Sequence, residues 1–414
     1  MDVRTLVTEY LMLGLRFGRL VPGFVDSYTG DPRLRARVDA EERPDPARLA
    51  SAAARLRARL DQVPLSRRRR TFLEAQLRAL ECSGRKLAGS RMSFRGELRE
   101  YFQVEVSFGD QDEYRRAHAE LDELLTGGGP LADRLAAFRE STRVPPDHLE
   151  RCVRVLSGAL RQRVRGVFGL PPGETVEYRI VTGEPWSGLH SYLGNHRSRV
   201  VVNADSTVRM AGLAHLVAHE AYPGHHTQDC HTDRFPDDPA PSERSMCLLN
   251  TPQSLMAEGL AELGLVVTVG PGWGGWLREV FAELGLHLDG ERAERLDAIM
   301  NVLRPVRQDA ALMLHEYHAD VDDVLAYLRR WLLVSEEKAR QLVRFLSHPS
   351  WRAYTTTYVE GRRLLSSWLD ARPPTVSAAQ RYAALLSEPP TPRTVAERVP
   401  RAEQSSRVLR VAQR

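Results

Sequence analysis

The sequence predicts a mainly α-helical protein with a small central β-sheet. Three observations carry that prediction. Long stretches repeat apolar residues at three- and four-residue intervals. Several of these open on Ser or Asp, which cap helices, and close on Gly or Pro, which end them. Only two stretches, "TVEYRIVTGEPW" and "SRVVVNAD", are rich in β-branched residues and bounded by turn residues. At 414 residues with 42% hydrophobic content, the chain can build one large domain or two ordinary ones.

The helices come first. "DPARLASAAARLRARLDQV" starts at Asp45 and Pro46, a cap followed by a residue suited to a first turn. "SRRRRTFLEAQLRALECSG" is capped by Ser66 and ends near Gly84. "QDEYRRAHAELDELLTGGGP" is amphipathic and stops at Gly127–Gly129. "PPDHLERCVRVLSGALRQRVRGVFGLPPG" closes at Gly169 and Pro171, which completes a helical N-terminal region over 1–170. The texture changes at Thr175, where the strand candidates begin. Helices resume in "STVRMAGLAHLVAHEAY", with Ser206 placed to cap, and continue through "PSWRAYTTTYVEGRRLLSSWLDA". A region over 171–388 thus holds the strands and the chemistry. It stands either as a second domain or as part of one integrated body. Residues 389–414, rich in Pro, Arg and Ser, read as a loosely held tail.

Composition narrows the function. The formal charge of +4 is small for this length, and lysine occurs only at Lys86 and Lys338. The one dense basic run, Arg67–Arg70, lies at the start of an amphipathic helix and reads as a solvated face. No nucleic-acid partner is expected. Cys82, Cys152, Cys230 and Cys247 are far apart and form no CxxC pair, so neither a disulfide scaffold nor a thiolate zinc site is indicated. The N-terminal "MDVRTLVTEYLMLGLRFGRLVPG" carries charges through its apolar stretch, unlike a signal peptide. No window reaches the ~18 apolar residues of a membrane span. The expectation is a soluble, cytoplasmic protein without a membrane partner.

The chemistry gathers in "AHLVAHEAYPGHHTQDCH", Ala214 to His231. It begins like a zinc-hydrolase helix, where two histidines one turn apart bind the ion and an intervening glutamate activates water. His219 and Glu220 fit that pattern, but Pro223 stands where the second histidine belongs. A proline there breaks the regular helix, and Gly224 permits backbone angles closed to other residues. The break can return a later histidine to His219, either His225 or His226. His215, one turn before His219, offers a different pair but leaves Glu220 and the turn without a role. Cys230 is the remaining soft donor nearby and reads as a packing residue. A third ligand is expected from a later helix. In "MAEGLAELG", Glu258 and Glu262 share one face among apolar neighbours, where an unpartnered carboxylate is costly.

"HEAYPGHHTQ" resembles the HExxPGHH signature of the DUF885 family, bacterial proteins grouped with zincin-type metallopeptidases. "AEGLAELG" is similar to the family's EGWAxYxE stretch, with Leu260 in place of tryptophan. "LHEYHADVDDVLAYL" resembles its LHxxxWxxxxAxxYL segment, with His318-Ala319 where Gly-Trp is common. "YVEGRRLL" resembles its YxxGxxxL. The likeness runs over about residues 199 to 368. It implies a zincin-like metallopeptidase architecture and one Zn2+ per chain, held by His219, His225 and Glu258 with His226 in reserve. It further implies Glu262 behind the ligands, Glu220 as general base, and Tyr358 and His315 as donors to a developing oxyanion. Arg362 is placed to meet a substrate carboxylate. Asn203 is placed to meet a peptide backbone along the edge strand "RVVVNAD". The implied activity is zinc-dependent cleavage of amide or peptide bonds, on short peptides or a small amide. The alternatives are an amidase specialised for one metabolite and a non-catalytic metal-containing binding protein.

Overall fold

A computed structural model describes residues 2–184, 186–205, 208–233, 242–387 and 390–398. Capping chemistry sets the helix starts. The side chains of Asp2, Asp45, Ser66, Asp110 and Ser335 each accept a backbone N–H in the first turn of the helix that follows. Helix Pro252–Val269 opens with a reciprocal capping box between Thr251 and Ser254. The predicted arginine run forms the first turn of helix Arg67–Leu87. Arg69 there makes a two-pronged pair with the buried Glu243, at 2.8 and 2.6 Å. Ser206 lies outside the described residues; helix Met210–Glu220 starts after Arg209, with no side-chain cap.

Two apolar cores organise these helices. The smaller packs helix Val3–Leu20 against Pro46–Ala58 and Arg67–Leu87 through Leu6, Tyr10, Phe17, Leu56 and Leu73. The larger draws on both sides of residue 170, from Ala79 and Leu156 to Leu255, Trp331 and Val395. Helix Arg67–Leu87 joins them, with Leu77 and Leu80 in the first and Ala79 and Cys82 in the second. Of the C-terminal stretch read as a loose tail, Pro392–Ala396 forms a short helix whose Val395 is buried in the larger core; residues 399–414 lie outside the described residues.

The sheet has three strands. Arg197–Asn203 is central, parallel to Thr175–Val181 and antiparallel to Gly188–Gly194. Val200 and Val202 alternate onto the core face. The first and central strands match the β-branched stretches. Gly188–Gly194, "GLHSYLG", has too weak a pattern to announce itself. A second small sheet pairs Val25–Tyr28 with Met246–Leu248. Among the described residues no single helix is long and apolar enough to cross a membrane.

One contact fixes the C-terminal helices against the helix that carries the acids. A π-helical turn, Thr357–Gly361, lies on helix Pro252–Val269 with Gly361 against Gly259. A Cβ on Gly259 would stand 2.5 Å from the Gly361 carbonyl carbon, and one on Gly361 would stand 2.5 Å from Leu255 O. Backbone thus meets backbone, and no side chain fits between. Gly259→Ala is expected to lower stability by about 1–3 kcal/mol through overpacking. Gly275→Ala, at a helical position with open space around it, is expected to raise stability by about 0.5–1 kcal/mol through helix propensity. Urea unfolding of the two variants checks the contrast.

Candidate metal centre

Helix Met210–Glu220 ends where the sequence says it must. Ala221 leaves helical angles at φ −123, ψ −78, and the Tyr222–Pro223 peptide is cis. Gly224 then folds back so closely that its N–H donates to Ala218 O at 2.9 Å, and a Cβ on it would lie 1.7 Å from His219 O. A new helix, His225–Asp233, starts at once. Its first residue is returned to the first helix's last turn.

The result is a tight convergence. His219 Nε2 and His225 Nε2 are 3.2 Å apart. Glu258 sends Oε2 to 3.2 Å from His219 Nε2 and Oε1 to 3.7 Å from His225 Nε2. Donor atoms of His219, Glu220 and His225 also lie within 4.8 Å of one another, so Glu220 stands beside the same point. Two nitrogens bound to one zinc at tetrahedral angles stand roughly 3.3 Å apart, given Zn–N distances of ~2.0–2.1 Å. The 3.2 Å between the two histidine nitrogens is close to that edge.

Two further observations fit a cation. Glu258 Oε2 is buried and lacks a hydrogen bond among the described residues, whereas Oε1 accepts from Tyr354 Oη at 2.6 Å. The free oxygen is the one turned toward His219. The surrounding acids favour positive charge at this point: burial opposes a charge on His219, yet Glu258, Glu220 and Glu262 pull its pKa up to about 10. Burial raises Glu258, but its contact with His219 and the charges of His225 and His219 hold it down to about 2. His225 is pushed down to about 4, chiefly by burial. Glu220 moves the other way. Burial pushes it up to about 7 against the pull of His219, with Glu258 and Asp26 adding to the rise. One carboxyl is therefore held ionised and the other is raised toward neutrality.

The supporting residues are placed as follows. Glu262 lies 3.7 Å from His219 Nδ1, in ion-pair range but too long for a hydrogen bond, and is held by Arg304 at 2.5 Å. The Tyr358 ring centroid is 6.4 Å from that of His219, and Tyr358 and Glu262 line a cavity of about 530 Å3 beside the cluster.

Four expected roles are corrected. His226 is fully buried on the opposite side, bonded to Glu174 at 3.1 Å and Ser198 at 2.8 Å, so it is no ligand. His315 bonds to Leu346 O at 2.7 Å and packs on Phe94, among Arg352, Glu97 and Lys86, away from the histidine cluster. Asn203 is on the central strand, not an edge, and its amide donates to Glu184 O and Trp186 O. The edge strand beside Glu220 is Gly188–Gly194, where a Cβ on Gly188 would lie 3.4 Å from Glu220 Oε1. Arg362 donates to Glu262 O at 2.8 Å, so its guanidinium is engaged by the backbone of helix Pro252–Val269. His215 sits 3.5 Å from Asp297 and edge-on to Trp273, outside the cluster.

Sequence reasoning missed Tyr354, Arg304, His190 and Glu174. Tyr354 precedes Tyr358 by one turn, a spacing that was there to be read. Glu174 carries no local signal; only the fold reveals that it sits under the turn, accepting from Tyr222 Oη at 2.7 Å and Arg161 Nε at 2.6 Å. His226 Nδ1 on the other side of the ring is hydrogen-bonded to Ser198 Oγ, which is itself hydrogen-bonded to His190 Nε2 at 2.9 Å. The chain of bonds reaches the wall of the His225 ring.

Although burial opposes it, Glu174 is kept below its ordinary value of 4.5 by hydrogen bonds from His226, Tyr222 and Arg161. A depressed carboxylate stabilises the fold above its unfolded pKa, and that contribution is lost as pH falls through the folded value. Glu174→Gln is expected to cost about 3–5 kcal/mol at pH 7, as for a broken buried pair. The difference from the unmodified chain should close as pH drops below 4.5. Denaturant titrations at pH 7 and pH 3.5 check both parts.

No known family's sequence profile matches the chain, and no curated protein matches it. Solved structures do. A protein from Colwellia psychrerythraea described as a candidate lipoprotein aligns with TM-score 0.55 and 18% identity, over 84% of this chain and 65% of that one. A candidate lipoprotein of unknown function from Shewanella oneidensis aligns with TM-score 0.51 and 18% identity, over 93% of this chain and 69% of that one. The chain therefore spans about two thirds of the length of each and shares their fold.

Proposed function

We propose that the chain is a zinc-dependent hydrolase of amide or peptide bonds with a zincin-like arrangement around its metal. The observation that carries this reading is the convergence of His219 Nε2, His225 Nε2 and Glu258 at 3.2 to 3.7 Å beside the raised carboxyl of Glu220. A zinc ion held there would supply Lewis acidity and lower the pKa of water toward ~7.

The chain's own groups divide the remaining work. Glu220 takes the proton of the attacking water and later gives it to the leaving amine, a task suited to a carboxyl near 7. Tyr354 holds Glu258 in place through Oε1, leaving Oε2 free for the ion. Tyr358, on the cavity wall next to His219, is the candidate donor to the oxyanion. The free side of strand Gly188–Gly194 is the place for an extended substrate to lie against Glu220.

Elemental analysis after zinc loading is expected to find one equivalent in the unmodified chain and in His226→Ala. It should be lost from His219→Ala and His225→Ala. Glu220→Gln should keep the metal and lose about 10²- to 10⁴-fold in turnover on a mixed peptide library read by mass spectrometry. Full zinc occupancy with no cleavage of peptides or small amides by any form would replace the hydrolase with the binding protein.

A further inference from the structure

The cavity of about 530 Å3 beside the metal centre is not neutral. Its wall carries Arg139, Arg209, Arg304 and Arg307 against two carboxylates, Glu262 and Asp297. Those carboxylates are already engaged. Glu262 accepts from Arg304 at 2.5 Å, and Asp297 accepts from Asn301 at 3.0 Å. Among the described residues, Arg139, Arg209 and Arg307 form no ion pair. Part-buried arginines elsewhere, such as Arg16, Arg69, Arg78 and Arg161, each find an acid at 2.6 to 2.8 Å.

The three cations come from separate elements. Arg139 is on helix Leu131–Ser141, Arg209 immediately precedes helix Met210–Glu220, and Arg307 is on helix Pro305–His315. Packing that brings like charges together costs energy unless something offsets it. Burial and the proximity of Arg209 and Arg307 push Arg139 down to about 10. Burial, then Arg307, Arg209 and Arg139, likewise lower Lys338 at the same end. Ala211 and Gly212, in the uncapped first turn of the His219 helix, line the same space, so the positive end of that helix's dipole faces it too.

We infer that this cavity is an anion seat, which receives a carboxylate or phosphate group of the molecule whose amide bond reaches the metal centre. The inference rests on the hydrolase reading for the substrate's other end. Tyr358 and Glu262 line the cavity at the metal end, while Arg209 lies ten residues before His219, roughly 15 Å along one helix. An extended peptide of about four residues spans that distance at ~3.3–3.6 Å per residue. Specificity would come from a free acidic terminus and not from side-chain pockets. The role assigned from sequence to Arg362 thus passes to these arginines.

Succinate and inorganic phosphate, with neutral succinamide as control, can be titrated calorimetrically into the full chain at low ionic strength. Parallel titrations use chain stripped of metal by chelation. Both anions are expected to bind either form, to weaken with added salt, and succinamide to give no heat of binding. Arg139→Gln and Arg307→Gln should each weaken binding about tenfold or more, with zinc content and melting temperature unchanged. Arg307→Lys should bind better than Arg307→Gln. Tighter succinate than phosphate would assign a carboxylate-bearing substrate, the reverse a phosphorylated one, and either supports the seat. No anion binding, or binding indifferent to both Gln variants, overturns it. A chain that binds anions but takes up no zinc would instead remove the metal reading and leave the seat standing.

Discussion

Everything in the centre depends on one close approach of backbone to backbone. Gly224 folds under the end of helix Met210–Glu220 until its N–H meets Ala218 O, with no room for a Cβ against His219 O. A continuous helix would place residues six apart about 120° away around the axis and about 9 Å further along it. The break replaces that rise with a return, and His225 Nε2 ends 3.2 Å from His219 Nε2. Thr227 then ties the second helix to the first by donating its backbone N–H and its hydroxyl to Ala221 O, at 3.2 and 3.0 Å. The turn is held from both sides, which sets the two imidazoles against each other.

Around that turn the acids fall into two populations, separated by what partners them. Glu174 is saturated, accepting from Tyr222, His226 and Arg161 in a fully buried position. Such a site specifies the core and offers nothing to a ligand. Glu258 and Glu220 are incompletely satisfied by the chain itself, and their pKa values are driven apart, to about 2 and about 7. Neighbouring carboxyls with divergent values are the mark of divided roles in a reacting site. Glu262 stands between the populations. Arg304 neutralises it, so it shapes the field at His219 without adding a free charge.

The legible parts of the chain were those governed by local rules. Caps at Asp45 and Ser66 follow from short-range hydrogen bonding, and the helices start there. The Pro223-Gly224 break followed from proline sterics, and Glu258 from the cost of burying an unpaired acid. What failed depended on the third dimension. The β-branched run Arg197–Asn203 was legible as a strand, but an edge and a central strand differ only in what lies alongside, and Gly188–Gly194 supplied the missing neighbour. Arg362 satisfies a backbone carbonyl on helix Pro252–Val269, which packs against its own, and His315 a carbonyl at Leu346; neither partner is visible from spacing. The cation cluster was equally hidden, because Arg139, Arg209 and Arg307 are contributed one at a time from separate elements.

The fates of His225 and His226 show how little separates a ligand from a core residue. The two are chemically identical and adjacent, and spacing alone kept both in play. At the start of a helix, successive side chains diverge by roughly 100°. Once the turn aims His225 at His219, His226 must point into the protein. There it needs a partner for each nitrogen, and Glu174 and Ser198 provide them from the first and central strands' ends of the sheet. The need runs in both directions: without His226, Glu174 would lose one of the donors that keep its carboxylate ionised in the interior. The sheet's part in the centre is therefore to fill the far side of the histidine pair. By satisfying His226 completely, it leaves His225 as the one that can turn its lone pair outward.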